Sequence, residues 1–332
     1  MFRGINLIIT RSPLRISITG GSTDIKSYYG KYGGMCVSAA IDKYVYISVN
    51  RTFEEQIFLK YSNIEKVKTI DEIKHPIFRE AIRLLDFKTP QIEITSVADV
   101  PGGTGMGSSS AFTCALLKAL YNYRKKILLP SELAELACYV EIDILHEPIG
   151  KQDQYISAYG GITCFEFNQD ETVEAYPIKL HPHTLFDFED NLSLFFTGYS
   201  SKAAEILKDQ VIKTEENDIE MIENLHRVKE IGWLGKKYLE NGKLKELAEL
   251  FNEQWKLKKE RTREMPNDII EEYREWGLKS GAIGAKIIGA GSNRGFLLFY
   301  SENKFKLREA MQKIGLEEVR FHFDFEGTKV LL

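Results

Sequence analysis

The chain is 332 residues long, 43% hydrophobic and 28% charged, with a net charge of −4. That is an ordinary composition for a globular protein, and the length allows two domains or one large one. The charge balance offers no basic footprint for nucleic acid or an anionic membrane surface, and no apolar run approaches the ~20 residues a membrane span needs.

Cys36, Cys114, Cys138 and Cys164 are far apart and form no C-x-x-C pair, and the six histidines show no metal-ligand spacing. Reduced core cysteines in a cytoplasmic protein are the expectation. Residues 1–10 lack the charged start, apolar centre and small-residue cleavage site of a signal peptide.

In chain order, residues 7–10 and 14–18 read as two strands, the second with clean alternation. Arg15 sits among apolar neighbours and needs a partner. Gly20, Gly21, Ser22, Thr23 and Asp24 break the pattern as a turn. Asp24 is either a turn or cap residue, which the pattern alone favours, or an acceptor for the hydroxyls of a polyol. Strands are expected at 35–40 and 44–50. Residues 54–75 hold a strand near 57–61 and otherwise loop. A short helix follows at 76–85, then a strand at 91–96.

That strand leads into the run Pro101 to Ala111, with four glycines and three serines in eleven residues. Phe112, Ala115, Leu116, Ala119, Leu120 and Tyr123 then recur at helical spacing. A glycine loop that opens a helix turns several N–H groups into one space and adds the helix's positive end. Serine hydroxyls add donors, or oxygen ligands for a hard cation such as Mg²⁺. Gly103, Thr104, Gly105, Met106, Gly107, Ser108, Ser109 and Ser110 thus form a candidate polyphosphate cradle. A flexible turn before a core helix is the competing reading.

A second helix starts at Pro130 with Ser131 as N-cap. Its stripe is Leu133, Leu136, Ala137, Val140 and Ile144. Glu141 lies on or beside it, as a surface glutamate or as a carboxylate turned inward towards a cation. Pro148 and Gly150 end this helix. Asp153 opens a short turn or helix closed by Gly160 and Gly161, as an N-cap or as a catalyst. Strands follow at 162–167 and 192–197, and 177–190 is the candidate domain boundary. Residues 202–265 read as helical, with a stripe of Leu244, Leu247, Ala248, Phe251 and Trp255, and the basic run 256–263 as a solvated face. A second glycine cluster spans 281–295, before a strand at 296–300, a helix at 303–314 and a strand at 318–325.

Neither the G-K-S/T ending of the P-loop nor G-x-G-x-x-G is present, since Ser110 and Arg294 occupy the sixth positions of the two partial matches. The protein-kinase loop and its H-R-D partner are also missing. Instead, three blocks resemble the GHMP superfamily of small-molecule kinases. Pro101 to Ala111 is similar to its central Pro-x3-Gly-Leu-Gly-Ser-Ser-Ala motif, with Met106 for leucine and one extra serine, Ser110. Arg11 to Asp24 is similar to the first motif, and Ala285 to Gly291 to the third, although Ser292, Asn293 and Arg294 replace its usual glycines. Within the superfamily, residues 20–24, 39–46 and 147–155 most resemble D-glycero-D-manno-heptose 7-phosphate kinases.

The resemblance implies an α+β fold in two domains: an N-terminal domain of the ribosomal-protein type over 1–185 and a C-terminal ferredoxin-like domain over 186–332. It places ATP phosphates in the loop 103–110, Mg²⁺ on Ser109 and Glu141, and the catalytic carboxylate at Asp153. Arg15 would orient Asp153. Asp24, with Gly20, Gly21, Ser22, Thr23, Gly289 and Gly291, would line the sugar site, and Lys202 is either the contact for a terminal phosphate or a surface lysine. The activity implied is transfer to the anomeric C1 hydroxyl of the heptose 7-phosphate, on the route to GDP-heptose for surface polysaccharide. Another sugar kinase of the superfamily, acting on fucose or galactose, is the rival, and a non-catalytic relative is a second. The expected partner is a small-molecule sugar phosphate, with no nucleic acid or membrane, and a homodimer stays open.

Overall fold

The computed structural model describes residues 7–85, 91–198, 203–261, 268–290 and 295–332. The first half builds a mixed sheet from β1 (Ile8–Gly20), β2 (Gly34–Arg51), β3 (Gln56–Lys60), β4 (Ile64–Val67), β5 (Gln91–Ala98), β6 (Ile162–Phe167) and β7 (Val173–Pro177). Between these lie α1 (Lys26–Tyr32), α2 (Pro76–Leu84), α3 (Ser108–Tyr123), α4 (Pro130–Cys138) and α5 (Gln152–Tyr159), with a π-helical turn Tyr139–Ile144 after α4. The second half holds α6 (Pro182–Asn191), β8 (Leu192–Phe196), α7 (Ala203–Glu215), α8 (Ile219–Glu240), α9 (Leu244–Arg261), α10 (Asp268–Lys279), β9 (Gly284–Ile288), β10 (Phe296–Tyr300), α11 (Lys304–Lys313), β11 (Glu317–Glu318) and β12 (Lys329–Val330).

The first sheet runs β12-β1-β2-β5-β3-β4, and β6 and β7 extend the far half of β2. The second runs β11-β8-β10-β9 and is antiparallel throughout. In its own sequence this is the order 4-1-3-2 of a β-α-β-β-α-β unit, the ferredoxin-like arrangement. β12 returns to the first sheet, where it pairs with Thr10 and Arg11 of β1.

The two strands expected at 7–10 and 14–18 are one continuous strand. The pairing of β1 with β2 slips between Pro13 and Leu14, which suits a residue with no N–H to give to a ladder. β2 is likewise one strand where two were expected. β4, β7 and α6 fall in stretches read as loop or linker, and α1 lies in a stretch that was given no element. Ser131 is not an N-cap: Leu129 holds that position, Pro130 takes the first helical place, and the Glu132 side chain accepts from the Leu129 N–H at 2.8 Å. Residues 318–325 form only the two-residue β11 and an isolated bridge from Phe323 to Ile41.

Alternation along β1 aims the site. Leu14, Ile16 and Ile18 are fully buried in the main core, beside α3. The intervening Arg15, Ser17 and Thr19 point the other way, where Thr19 meets α8 and α9 through Ile231 O and Gln254 Nε2. α3 is buried on most of its surface, so its N-terminus is fixed by packing.

Candidate active site

A cavity of about 240 Å³ opens between the two sheets. Its wall includes Arg15 and Ser17 of β1, the turn after β1, Gly105 and Gly107 of the glycine loop, Gly150, Gln152 and Asp153 around the start of α5, and Gly289 after β9. Stretches of chain as far apart in sequence as Arg15 and Gly289 thus meet on one space.

Arg15 is the hinge pin. Its Nε and Nη2 donate to the two carboxylate oxygens of Asp153 at 2.8 and 2.9 Å, and its Nη1 donates to Gly105 O at 2.5 Å. Its own N–H donates to Met106 O at 3.1 Å, so the glycine loop lies along the edge of β1. A bidentate guanidinium–carboxylate pair fixes both charge and orientation. Asp153 keeps 27% of its side-chain surface accessible. Its Oδ2 lies 3.1 Å from the position of a Cβ on Gly107, so the carboxylate abuts the loop.

Asp24 is buried on the same wall. Its Oδ2 accepts from the Gln152 N–H at 3.0 Å, and its carbonyl from Lys151 N–H at 3.2 Å. Gly150 allows this approach, since a Cβ there would stand 1.9 Å from Asp24 Oδ2. Burial, reinforced by the neighbouring charge of Asp153, raises the Asp24 carboxyl from 3.8 to about 6. Gly20, Gly21 and Ser22 line the cavity beside it. Thr23 does not: its hydroxyl donates to Met35 O and accepts from Met35 N–H, which locks the turn.

The glycine loop and the third block pack backbone to backbone. A Cβ on Gly289 would lie 2.5 Å from Gly105 Cα, and Gly289 has φ +82°. Only a residue without a side chain fits there at low cost. Within the loop, Thr104 and Met106 turn inward and are fully buried, while Gly103 and Ser109 are exposed and Ser108 is half-buried.

Ser109 donates to Glu141 Oε1 at 2.7 Å, and Gln154 Nε2 donates to Oε2 at 2.8 Å. Glu141 sits in the π-helical turn after α4 and is 1% exposed. A π turn changes which way a side chain faces, and such turns recur at functional sites. Burial raises the Glu141 carboxyl from 4.5 to about 7, against the pull of the Ser109 and Gln154 hydrogen bonds. A hydroxyl and a buried carboxylate are hard oxygen donors, and a cation beside them would relieve the buried charge. That set fits Mg²⁺ completing its shell with phosphate and water. Neither residue is on the cavity wall, and Gln154, the neighbour of Asp153 on α5, reaches Glu141.

Lys202 and Gly291 lie outside the described residues. Sequence reading missed Gln152, Gln254, Lys258, Arg261 and Lys286, all on the cavity wall. Lys258 and Arg261 belong to the basic run read as a solvated face, and this is corrected: both turn into the cavity. Lys258 donates to Gly289 O. Burial, with the neighbouring Arg261 and Arg15, lowers its ammonium from 10.5 to about 7. Lys286 donates to Ile18 O and Gln254 Oε1 at 2.6 and 2.9 Å, and burial holds it well below the usual lysine range. The signal was present in the spacing: Gln254, Lys258 and Arg261 stand at i, i+4 and i+7, on one helix face.

Residues 76–161 match the family described as "GHMP kinases N terminal domain", and residues 236–315 match "GHMP kinases C terminal". The chain is 27% identical to the D-glycero-alpha-D-manno-heptose 7-phosphate kinase of Campylobacter jejuni, over 97% of this chain and 98% of that one. It is 23% identical to the galactokinase of Pyrococcus furiosus, over 92% and 94%. The crystal structure of a D-glycero-D-manno-heptose 1-phosphate kinase from Bacteroides thetaiotaomicron superposes with a TM-score of 0.80 at 24% identity, covering 98% of this chain and 99% of the other.

Proposed function

The chain belongs to the GHMP kinases, and on that premise we propose that it transfers the γ-phosphoryl group of ATP to the C1 hydroxyl of D-glycero-D-manno-heptose 7-phosphate. That it is a sugar kinase with an alcohol acceptor, similar to heptose phosphate kinases, follows from its family and relatives. The acceptor and the position phosphorylated are our reading. The observation that carries it is the Asp153 carboxylate, held on both oxygens by Arg15 and pressed against Gly107, with the Asp24 turn on the same wall.

In this reading the backbone N–H groups of residues 103–110 and the start of α3 hold the nucleotide phosphates. Asp24 and the turn 20–22 accept from sugar hydroxyls and set the reacting one beside Asp153. As the oxygen of C1 bonds to the γ-phosphorus, Asp153 takes its proton, and the bond to the bridging oxygen breaks so that ADP leaves. An anomeric hydroxyl is more acidic than an ordinary alcohol, which suits a carboxylate base. Arg15 keeps Asp153 from rotating away and tethers it to the loop through Gly105 O. Ser109 and Glu141 would hold Mg²⁺, which neutralises phosphate charge when bound. The division at 185/186 is also a proposal. The two-sheet partition supports a division in this region, although 185/186 itself falls inside α6 and β12 crosses back to the first sheet.

The test is ADP release from Mg-ATP with a panel of sugars, each with and without a terminal phosphate. Release with heptose 7-phosphate and a new phosphate on C1 is expected. Release with free fucose or galactose instead would overturn the substrate while keeping the Asp153 mechanism. Release with heptose 1-phosphate would overturn the position.

A further inference from the structure

The cavity wall carries more cations than carboxylates. Among the described residues, Arg15, Lys258, Arg261 and Lys286 share it with Asp24 and Asp153 as its acidic side chains. Arg15 is bound through Nε and Nη2 to Asp153 and through Nη1 to Gly105 O, and Lys286 is held by Ile18 O and Gln254. Lys258 reaches Gly289 O. Arg261 differs: its Nη1 is buried and has no hydrogen-bond partner among the described residues. Burial lowers this guanidinium from 12.5 to about 10. A buried, charged N–H without an acceptor is costly to keep, and an anion in the cavity removes that cost. The fork of a guanidinium matches a phosphate better than it matches a single hydroxyl.

Lys258 touches Gly289, which packs on Gly105 of the glycine loop. Arg261 lies three residues further along the helix, about 4.5 Å at the usual rise. In the kinase reading the nucleotide phosphates sit at Gly105 and Gly107, and KM for ATP distinguishes them from a phosphate on Arg261.

We propose that Arg261, with Lys258 beside it, binds the phosphate that the acceptor sugar already carries, so that the chain selects a sugar phosphate over the free sugar. This rests on the kinase reading above and adds to it the residues that read the acceptor's own charge.

The test compares kcat/KM for heptose 7-phosphate and for free heptose in the full-length wild type, Arg261→Gln and Arg261→Lys, with KM for ATP measured alongside. The wild type should prefer the phosphorylated acceptor by about 10²-fold or more, the scale expected when a site's buried charged group is left unpaired by the wrong substrate. Arg261→Gln should reduce that ratio by about tenfold or more through KM for the acceptor, with KM for ATP within about twofold of wild type. Arg261→Lys should restore part of the ratio, because it restores charge without the fork. Since the ratio is taken within each variant, a general loss of active protein cancels from it. An unchanged ratio in Arg261→Gln, or a loss that appears in KM for ATP, overturns the proposal. No preference in the wild type also overturns it, while leaving the kinase reading in place. No ADP release with any acceptor overturns the kinase reading itself.

Discussion

Asp153 faces Arg15 through two hydrogen bonds and the cavity through its remaining surface, so its charge and its geometry are separable by mutation. Asp153→Asn keeps shape and one acceptor oxygen. It should retain cooperative thermal unfolding while kcat falls about 10²- to 10⁴-fold, the usual range for loss of a general base. Undiminished turnover would remove Asp153 from the chemistry. Glu141 makes a pH prediction of definite sign. Its carboxyl is raised from 4.5 to about 7 in the folded chain. Between those values the folded state keeps a proton that the unfolded chain has released. The stability this contributes is full below about 4.5 and is lost as pH rises through about 7. Glu141→Gln should therefore lose less thermal stability than wild type on going from about pH 5 to about pH 8. Metal binding has the opposite sign, because it needs the carboxylate. The Mg²⁺ concentration for half-maximal rate should fall with rising pH until about 7 in wild type, and should increase in both Ser109→Ala and Glu141→Gln. Wild-type metal dependence in both variants would sink the assignment. Of these residues, Asp24, Asp153, Glu141 and Ser109 were singled out through the family resemblance of their blocks, since spacing alone left the three carboxylates as a turn, a cap and a surface residue. Lys258 and Arg261 were not, since a basic run on a helix reads the same whether it faces water or a cavity.

The glycine loop, β1 and the segment after β9 behave as one element made of three pieces. Gly289 stands at φ +82° with Gly105 where a side chain would go. Gly289→Ala must strain its own backbone and push the loop off Arg15. A loss of about 1–3 kcal/mol in urea unfolding is expected, with a larger proportional loss of turnover; an alanine variant with wild-type stability and rate would show that the two loops do not need to touch. Most helices and strands near the site were readable from period and punctuation: α3, α4, α5 and β5 emerge from apolar spacing, Pro130, Gly150 and Gly160. The failures share a cause. α6 carries Pro182 at its first helical position, and a proline there marks a start as readily as a break. The short strands β4 and β7 alternate too briefly to stand out from loop. Pro13 marked a gap in the sequence and proved to be a slip of register inside one strand.

At the scale of the molecule, β12 ties the end of the described chain to its beginning. Thr328 Oγ1 donates to Ser157 O at 2.8 Å and lies 2.7 Å from Ser12 Oγ, all of it buried. Thr328→Val keeps the volume and leaves Ser12 and the Ser157 carbonyl without that partner. A loss of about 1–3 kcal/mol is expected from denaturant midpoints, with KM for ATP unchanged because no cavity residue moves; stability equal to wild type would show that β12 is incidental. The α+β class and the family were determined by the sequence itself, because glycine loops, helix starts and apolar periods are local and are written in neighbouring residues. What only the tertiary structure decided was which charges meet. Arg15 and Asp153 are 138 positions apart, and Ile18 and Lys286 are 268 apart. Burial that lifts Glu141 and Asp24 and lowers Lys258 depends on the atoms packed around each group, and no spacing along a chain encodes that.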